Sequence, residues 1–340
     1  MSAAEPSWAS LDDGPLLDVR LDALDLRPEE SRIAPQVARL RRDLERAEVP
    51  LLPRIWFSTD WFSPDGVPGI ALPFPLMHAR LVRLERKQLT WAEGSRPATC
   101  LRLLRHEAGH ALDTAYRLSR TPTYRAAFGR RSEPYRRHYA VDPGARGFVR
   151  HLDRWYAQSH PAEDFAETFA VWLADPGGSH TAAADERVRA KLQAVEQLVA
   201  STRGRPAPVR SRACPHALRS ERRTLREHYA RRRRSLEREP APPFDADLER
   251  AFDAGRAWRR NASAARHLLR TREALAREAG RARGLDGEAA DQIVGLLVQR
   301  CRERGHELPS DPARYKPDRL VRMIRSTARA LRAGSYLLSR

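Results

Sequence analysis

The sequence predicts an α+β fold, with a mixed N-terminal domain followed by a mainly α-helical basic one. Three observations carry this. Runs rich in β-branched and aromatic residues are confined to residues 52–86. From Pro97 onward the apolar residues recur with helical spacing. After residue 202 a Gly- and Pro-bearing stretch gives way to segments rich in Ala, Leu and Arg. The predicted boundaries are therefore a domain over 1–202, a linker over 203–211 and a second domain over 212–340. The 340 residues suit one large or two ordinary domains, and 41% hydrophobic content suffices for a core.

The elements follow in order. A helix is expected from Pro35 to Glu48, ended by Pro50 and Pro53. Leu52 to Ser58, Pro68 to Phe74 and Ala79 to Arg86 read as strands, with turn material from Pro64 to Gly69 between the first two. Pro97 to about Leu118 is helical, and 119–150 is irregular and rich in Arg and Tyr. A second strong helix opens at Pro161 and runs to Ala174, where Asp175-Pro176-Gly177-Gly178 stops it. Another spans Asp185 to Ala200. The helical segments beyond are broken at Glu239 to Pro243, Gly284 to Gly287 and Pro309 to Pro317.

The net charge is +18, and the 33 basic against 17 acidic residues after Gly204 place nearly all of it in the C-terminal part. Such a field predicts weak, salt-sensitive nucleic-acid binding through that domain. Arginine replaces lysine almost throughout, as a GC-rich coding bias would produce, but that bias does not explain the excess of bases. No apolar run approaches a membrane span. The N-terminus lacks the basic and apolar regions of a secretory signal, and Cys100, Cys214 and Cys301 are odd in number and far apart. The expectation is a cytoplasmic protein with reduced thiols and no membrane partner.

The chemistry concentrates in two helices. His106-Glu107-Ala108-Gly109-His110 sets two imidazoles one turn apart on one face, where both reach one cation. Glu107 is offset by about 100° and stands beside the metal, as a base for an activated water. Leu101, Leu104, Ala108, Ala111, Leu112 and Ala115 form the opposite, apolar face. Catalytic zinc needs a third protein ligand. Tyr116, ten residues after His106, cannot serve as one. Asp113 is on the right face but a turn further on, which suits a supporting role or contact with solvent. In the second helix Glu163 and Glu167 share a face opposite Phe165, Phe169 and Trp172.

A His-Glu-x-x-His helix followed some fifty residues later by Glu-x-x-x-Glu resembles the gluzincin metallopeptidases. The resemblance implies a zincin-like domain with Zn2+ held by His106, His110 and Glu163. It implies that Glu167 orients a ligand histidine and that Glu107 is the catalytic base. Glu-Asp-Phe-Ala-Glu is also similar to the catalytic segment of anthrax lethal factor, whose tyrosine near the metal corresponds to Tyr156. Closer still, Leu-Arg-His-Glu-Ala-Gly-His with His-Pro-Ala-Glu-Asp-Phe-Ala-Glu-Thr-Phe-Ala-Val-Trp-Leu resembles a bacterial family of zinc-binding metallopeptidases of undefined substrate. The likeness covers about residues 50–200 and implies a peptide or protein substrate. Zincins bind it along an edge strand, for which Gly69 to Phe74 or Ala79 to Arg86 would serve. Two alternatives remain: a Spartan-like, DNA-associated protease with a histidine as third ligand, and a non-catalytic zinc-stabilised module that binds nucleic acid or a partner. His138, His151 and His160 would be the histidines of such a site. Cys214-Pro215-His216 lacks the second pair a zinc ribbon needs.

Overall fold

The computed structural model describes residues 5–89, 91–176, 185–238, 241–254, 263–281 and 285–339. Gly177 and Gly178 of the expected helix stop, and residues 239, 240 and 284 of the expected breaks, lie outside them. Among the described residues the protein is mostly helical, and no helix is long and apolar enough to cross a membrane. It falls into two compact units, Met1–Glu133 with Pro161–Glu239, and Pro134–His160 with Pro240–Arg340.

The first unit contains α1 (Asp13–Asp18), α2 (Ala34–Arg46), β1 (Arg54–Ser58), β2 (Gly69–Pro73), α3 (Ala79–Leu89), α4 (Pro97–Tyr116), α5 (Pro122–Phe128), α6 (Pro161–Ala174), α7 (Glu186–Ala200) and α8 (Leu225–Glu237). Its core joins Leu40 and Leu44 of α2, Leu104, Ala108 and Leu112 of α4, and Phe165, Phe169 and Trp172 of α6. The two motif helices lie against each other, and Gly109 permits it. A Cβ there would stand 3.0 Å from the Ala166 Cα and 3.1 Å from Phe169 Cδ1. Strands β1 and β2 pair in parallel, with Trp56 opposite Ala71. Ile55, Phe57, Ile70 and Leu72 enter the main core. Trp56 and Ala71 pack instead with Val67 and Ala217.

Two sequence expectations are corrected here. Ala79 to Arg86 is not a strand but the body of α3. Leu81, Leu84 and Leu89 are buried at helical spacing, and the stretch is built from Leu, Arg, Glu, Lys and Gln, all good helix formers, with Val82 its one β-branched residue. Nor does β2 present an open edge. Phe62 forms an antiparallel bridge with Ala71, and Ser63 Oγ lies 2.5 Å from the carbonyl oxygen of Gly69.

The second unit holds β3 (His138–Tyr139), α9 (Asp245–Ala251), α10 (Ala264–Gly280), α11 (Gly287–Arg304), α12 (Pro317–Arg332) and β4 (Leu338–Ser339). Strand β3 pairs antiparallel with β4. Trp155 is buried in its core, and the Trp155 backbone N–H donates to Gln292 Oε1 at 3.0 Å. The division therefore runs differently from the sequence boundaries. Residues 203–211 lie within the first unit, where the Val209 N–H donates to the Ala115 carbonyl. Helix α8 buries Leu225 and Tyr229 in the first unit's core. The 134–160 segment belongs with the C-terminal helices.

Candidate metal centre

Helix α4 opens with Pro97 at its first turn and closes on Arg117, whose backbone is left-handed (φ 55°) and whose N–H donates to the Asp113 carbonyl. Helix α6 opens with Pro161, which suits a first helical position. Its first turn carries Glu163 and Asp164, where negative charge meets the positive end of the helix dipole. Packing at Gly109 then brings the two ligand faces together.

His106 Nε2 and His110 Nε2 are 3.1 Å apart. Glu163 Oε2 is 3.1 Å from each of them. A tetrahedral ion bound at ~2.0–2.1 Å sets its donors about 3.3 Å apart, so this near-equilateral triangle fits zinc. The chemistry of the donors fits as well. His106 Nδ1 lies 2.8 Å from Glu167 Oε1. With the proton on Nδ1 and donated to Glu167, Nε2 offers its lone pair to the centre of the triangle. Three lone-pair donors then converge where only a cation satisfies them all. Among the described residues, His106, His110 and Glu163 are the one such cluster able to hold a metal ion.

Most of the site is buried, and His110, its side chain 12% exposed, is the ligand nearest to solvent. His106 and Glu163 are each 3% exposed, and Glu167 is fully buried. Burial opposes a charge on His106, but Glu163 and Glu167 outweigh it and hold the imidazole well above its usual range. Burial likewise opposes ionisation of Glu163, and the two histidines overcome it and hold the carboxyl well below the carboxylate range. Burial raises the Glu107 carboxyl, with His106 and His110 acting against it. Glu107 Oε2 is buried and has no hydrogen-bond partner among the described residues.

Asp113 lies elsewhere in this unit's interior. It is 2% exposed and so is not a solvent contact. Its carboxylate accepts from Arg131 Nη1 and, at 2.7 Å, from the Ser119 N–H. Arg131 in turn pairs with Asp65. Tyr156 is in the second unit, in a short 3-10 turn entered through left-handed Trp155 (φ 50°). Its ring meets that of Tyr139 edge-on at 6.4 Å. His138, His151 and His160 are also in that unit.

Sequence reasoning missed three supports of the site. One is the close approach at Gly109, for which a glycine inside a helical pattern is a usable signal. Another is Ser63, whose Oγ lies 3.2 Å from the Glu107 carbonyl. The third is Asp164, next to Glu163. Burial raises its carboxyl to about 6 against the pull of Lys191, whose Nζ donates to it at 2.5 Å and ties α7 to α6. The last two partners are distant in sequence and leave no local pattern.

Residues 76–206 match the model of a family described as "Putative zinc-binding metallo-peptidase". The matched segment is less than half of the chain and runs from the end of β2's following turn through α7, so it includes every member of the His/His/Glu cluster. No curated protein and no solved structure matches the chain.

Proposed function

We propose that the protein is a zinc-dependent peptidase of the gluzincin type that hydrolyses peptide bonds in a peptide or protein substrate. The observation that carries the reading is the triangle of His106, His110 and Glu163 with Glu107, on the helix of the two histidines, whose Oε2 is buried and unpartnered among the described residues. His106, His110 and Glu163 would hold the ion. Zinc bound there supplies a Lewis acid and lowers the pKa of a coordinated water. Glu167 fixes the tautomer and ring orientation of His106 through the 2.8 Å contact. Glu107 takes the proton of the attacking water and returns it to the leaving amine. Its burial suits this, because a carboxyl with raised proton affinity is a better base. The non-catalytic alternative has no use for Glu107.

The test is Glu107→Gln, which preserves size and removes basicity. Zinc content should stay at about one per chain, because no ligand is lost. Hydrolysis of a peptide library should fall by ~10²–10⁴-fold. Equal cleavage by both proteins at the same rate would refute the assignment and favour a zinc-stabilised binding module.

A further inference from the structure

Helix α12 has two unlike faces. Leu320, Met323, Ile324, Ala328 and Leu331 are buried in the second unit's core. At about 100° per residue, Arg319, Arg322, Arg325, Arg329 and Arg332 fall within an arc of about 140° on the opposite side. Asp318, in the first turn, is the helix's one acidic residue. Coding bias explains arginine in place of lysine, but not five bases on one face of one helix.

The partners of these side chains matter more than their number. Several arginines elsewhere in the unit are matched by acids, as Arg272 is by Asp291 and Arg300 by Asp245. On α12 Arg319 donates to the Arg250 carbonyl and Arg325 to those of Glu278 and Ala279. These contacts hold the guanidinium groups in place, and neither group forms an ion pair among the described residues. Arg332 reaches an acid, Asp142, only at 4.0 Å. Arg322 and Arg329 are exposed and have no partner among the described residues. They stand two turns apart, about 10.5 Å.

We propose that this face of α12 binds the sugar-phosphate backbone of double-stranded nucleic acid, independently of the metal centre. The row spans about 20 Å from Arg319 to Arg332, the length of about six base pairs, over which a duplex offers a regular series of negative charges. Uncommitted guanidinium groups provide forked donors that match phosphate oxygens. A membrane surface fits less well. Interfacial helices insert an apolar face into lipid, whereas that of α12 is already in the core. The large hydrophobic residues exposed among the described residues are Leu52, Tyr135 and Leu337, none of them on α12.

The experiment measures binding of the full-length protein to a fluorescein-labelled mixed-sequence duplex of about 20 base pairs, by anisotropy, between about 50 and 200 mM salt. Wild type should bind with affinity that falls steeply with salt. The double variant Arg322→Gln/Arg329→Gln should bind roughly tenfold to a hundredfold more weakly and lower the log–log salt slope by about 2. Arg322→Lys/Arg329→Lys should recover most of the affinity. Arg231→Gln/Arg234→Gln, on α8, should stay close to wild type. His106→Ala should bind duplex unchanged, which separates this proposal from the peptidase reading. Circular dichroism checks that each variant is folded. The proposal is overturned if wild type shows no duplex binding at the lowest salt, or if the α8 pair loses affinity as much as the α12 pair. It is also overturned if the protein prefers phosphatidylserine vesicles or polyglutamate to duplex.

Discussion

Gly109→Ala tests whether the α4–α6 contact is as tight as the metal centre requires. The new Cβ would meet Ala166 Cα at 3.0 Å, Phe169 Cδ1 at 3.1 Å and Phe169 Cβ at 3.3 Å. The first of these is backbone and cannot rotate away, so α6 must retreat by a few tenths of an ångström. Alanine in a helix interior gains about 1 kcal/mol over glycine, while overpacking a core costs about 1–3 kcal/mol. The net expectation is a loss of up to about 2 kcal/mol, or a melting temperature lower by up to about 8 °C. Since Glu163 travels with α6, zinc affinity should fall as well. Gly295→Ala on α11 is the control. Its nearest neighbour would be the flexible end of Arg272 at 3.6 Å, so it should gain up to about 1 kcal/mol from helix propensity. Differential scanning calorimetry and zinc titration read both variants. A higher melting temperature for Gly109→Ala, matching the control, would refute the close contact.

Glu167→Gln keeps a hydrogen-bond acceptor for His106 Nδ1 but removes its charge. Zinc affinity should drop by ~10–100-fold, measured by competition with a chelating dye, and an unchanged affinity would remove Glu167 from the site. Burial raises the Glu85 carboxyl on α3 to about 7, with Tyr229 of α8 pulling the other way. The folded chain therefore binds this proton more tightly than the unfolded one, so stability is full below about pH 4.5, declines as pH rises to about 7, and is level above. Glu85→Gln should remove that decline and raise stability at pH 8 by about 1–3 kcal/mol. Parallel denaturation curves at pH 5 and pH 8 would contradict this if wild type and variant showed the same pH dependence.

The parts of the molecule legible in sequence are those written locally. Proline at the first turn and a periodic apolar face mark α4 and α6 almost to the residue. The spacing of His106, His110, Glu163 and Glu167 follows from helix geometry once those spans are known. What was not legible is non-local. Pairing of His138–Tyr139 with Leu338–Ser339 joins segments 200 residues apart, and no composition shift announces it. Pro206 and Pro208 look like a linker because prolines mark linkers, yet the chain there runs along the first unit, with Val209 bonded to Ala115. Helix α3 was misread because a short apolar-basic run satisfies period two and period 3.6 alike, and only propensity separates them.

The same two helices bury six ionisable side chains: His106, Glu107 and Asp113 from α4, and Glu163, Asp164 and Glu167 from α6. Buried charge is tolerated only when it is compensated. Arg131 answers Asp113 and Lys191 answers Asp164. Glu163 meets both His106 and His110, and Glu167 meets His106, so the two carboxylates depend on imidazoles that carry charge only when protonated. A divalent cation held at the triangle would balance Glu163 and would let His106 stay neutral with its Nδ1 proton donated to Glu167. The ion's contribution to stability and the chemistry of the site are then the same interaction, since metal affinity for the folded chain is folding free energy. Glu107 stands outside this balance. Among the described residues no cation forms an ion pair with it and its Oε2 has no donor, and burial raises its proton affinity. Asp164 also leaves one carboxylate oxygen unpartnered, but its other oxygen is held by Lys191; a carboxylate with no cation against it suits the base proposed above.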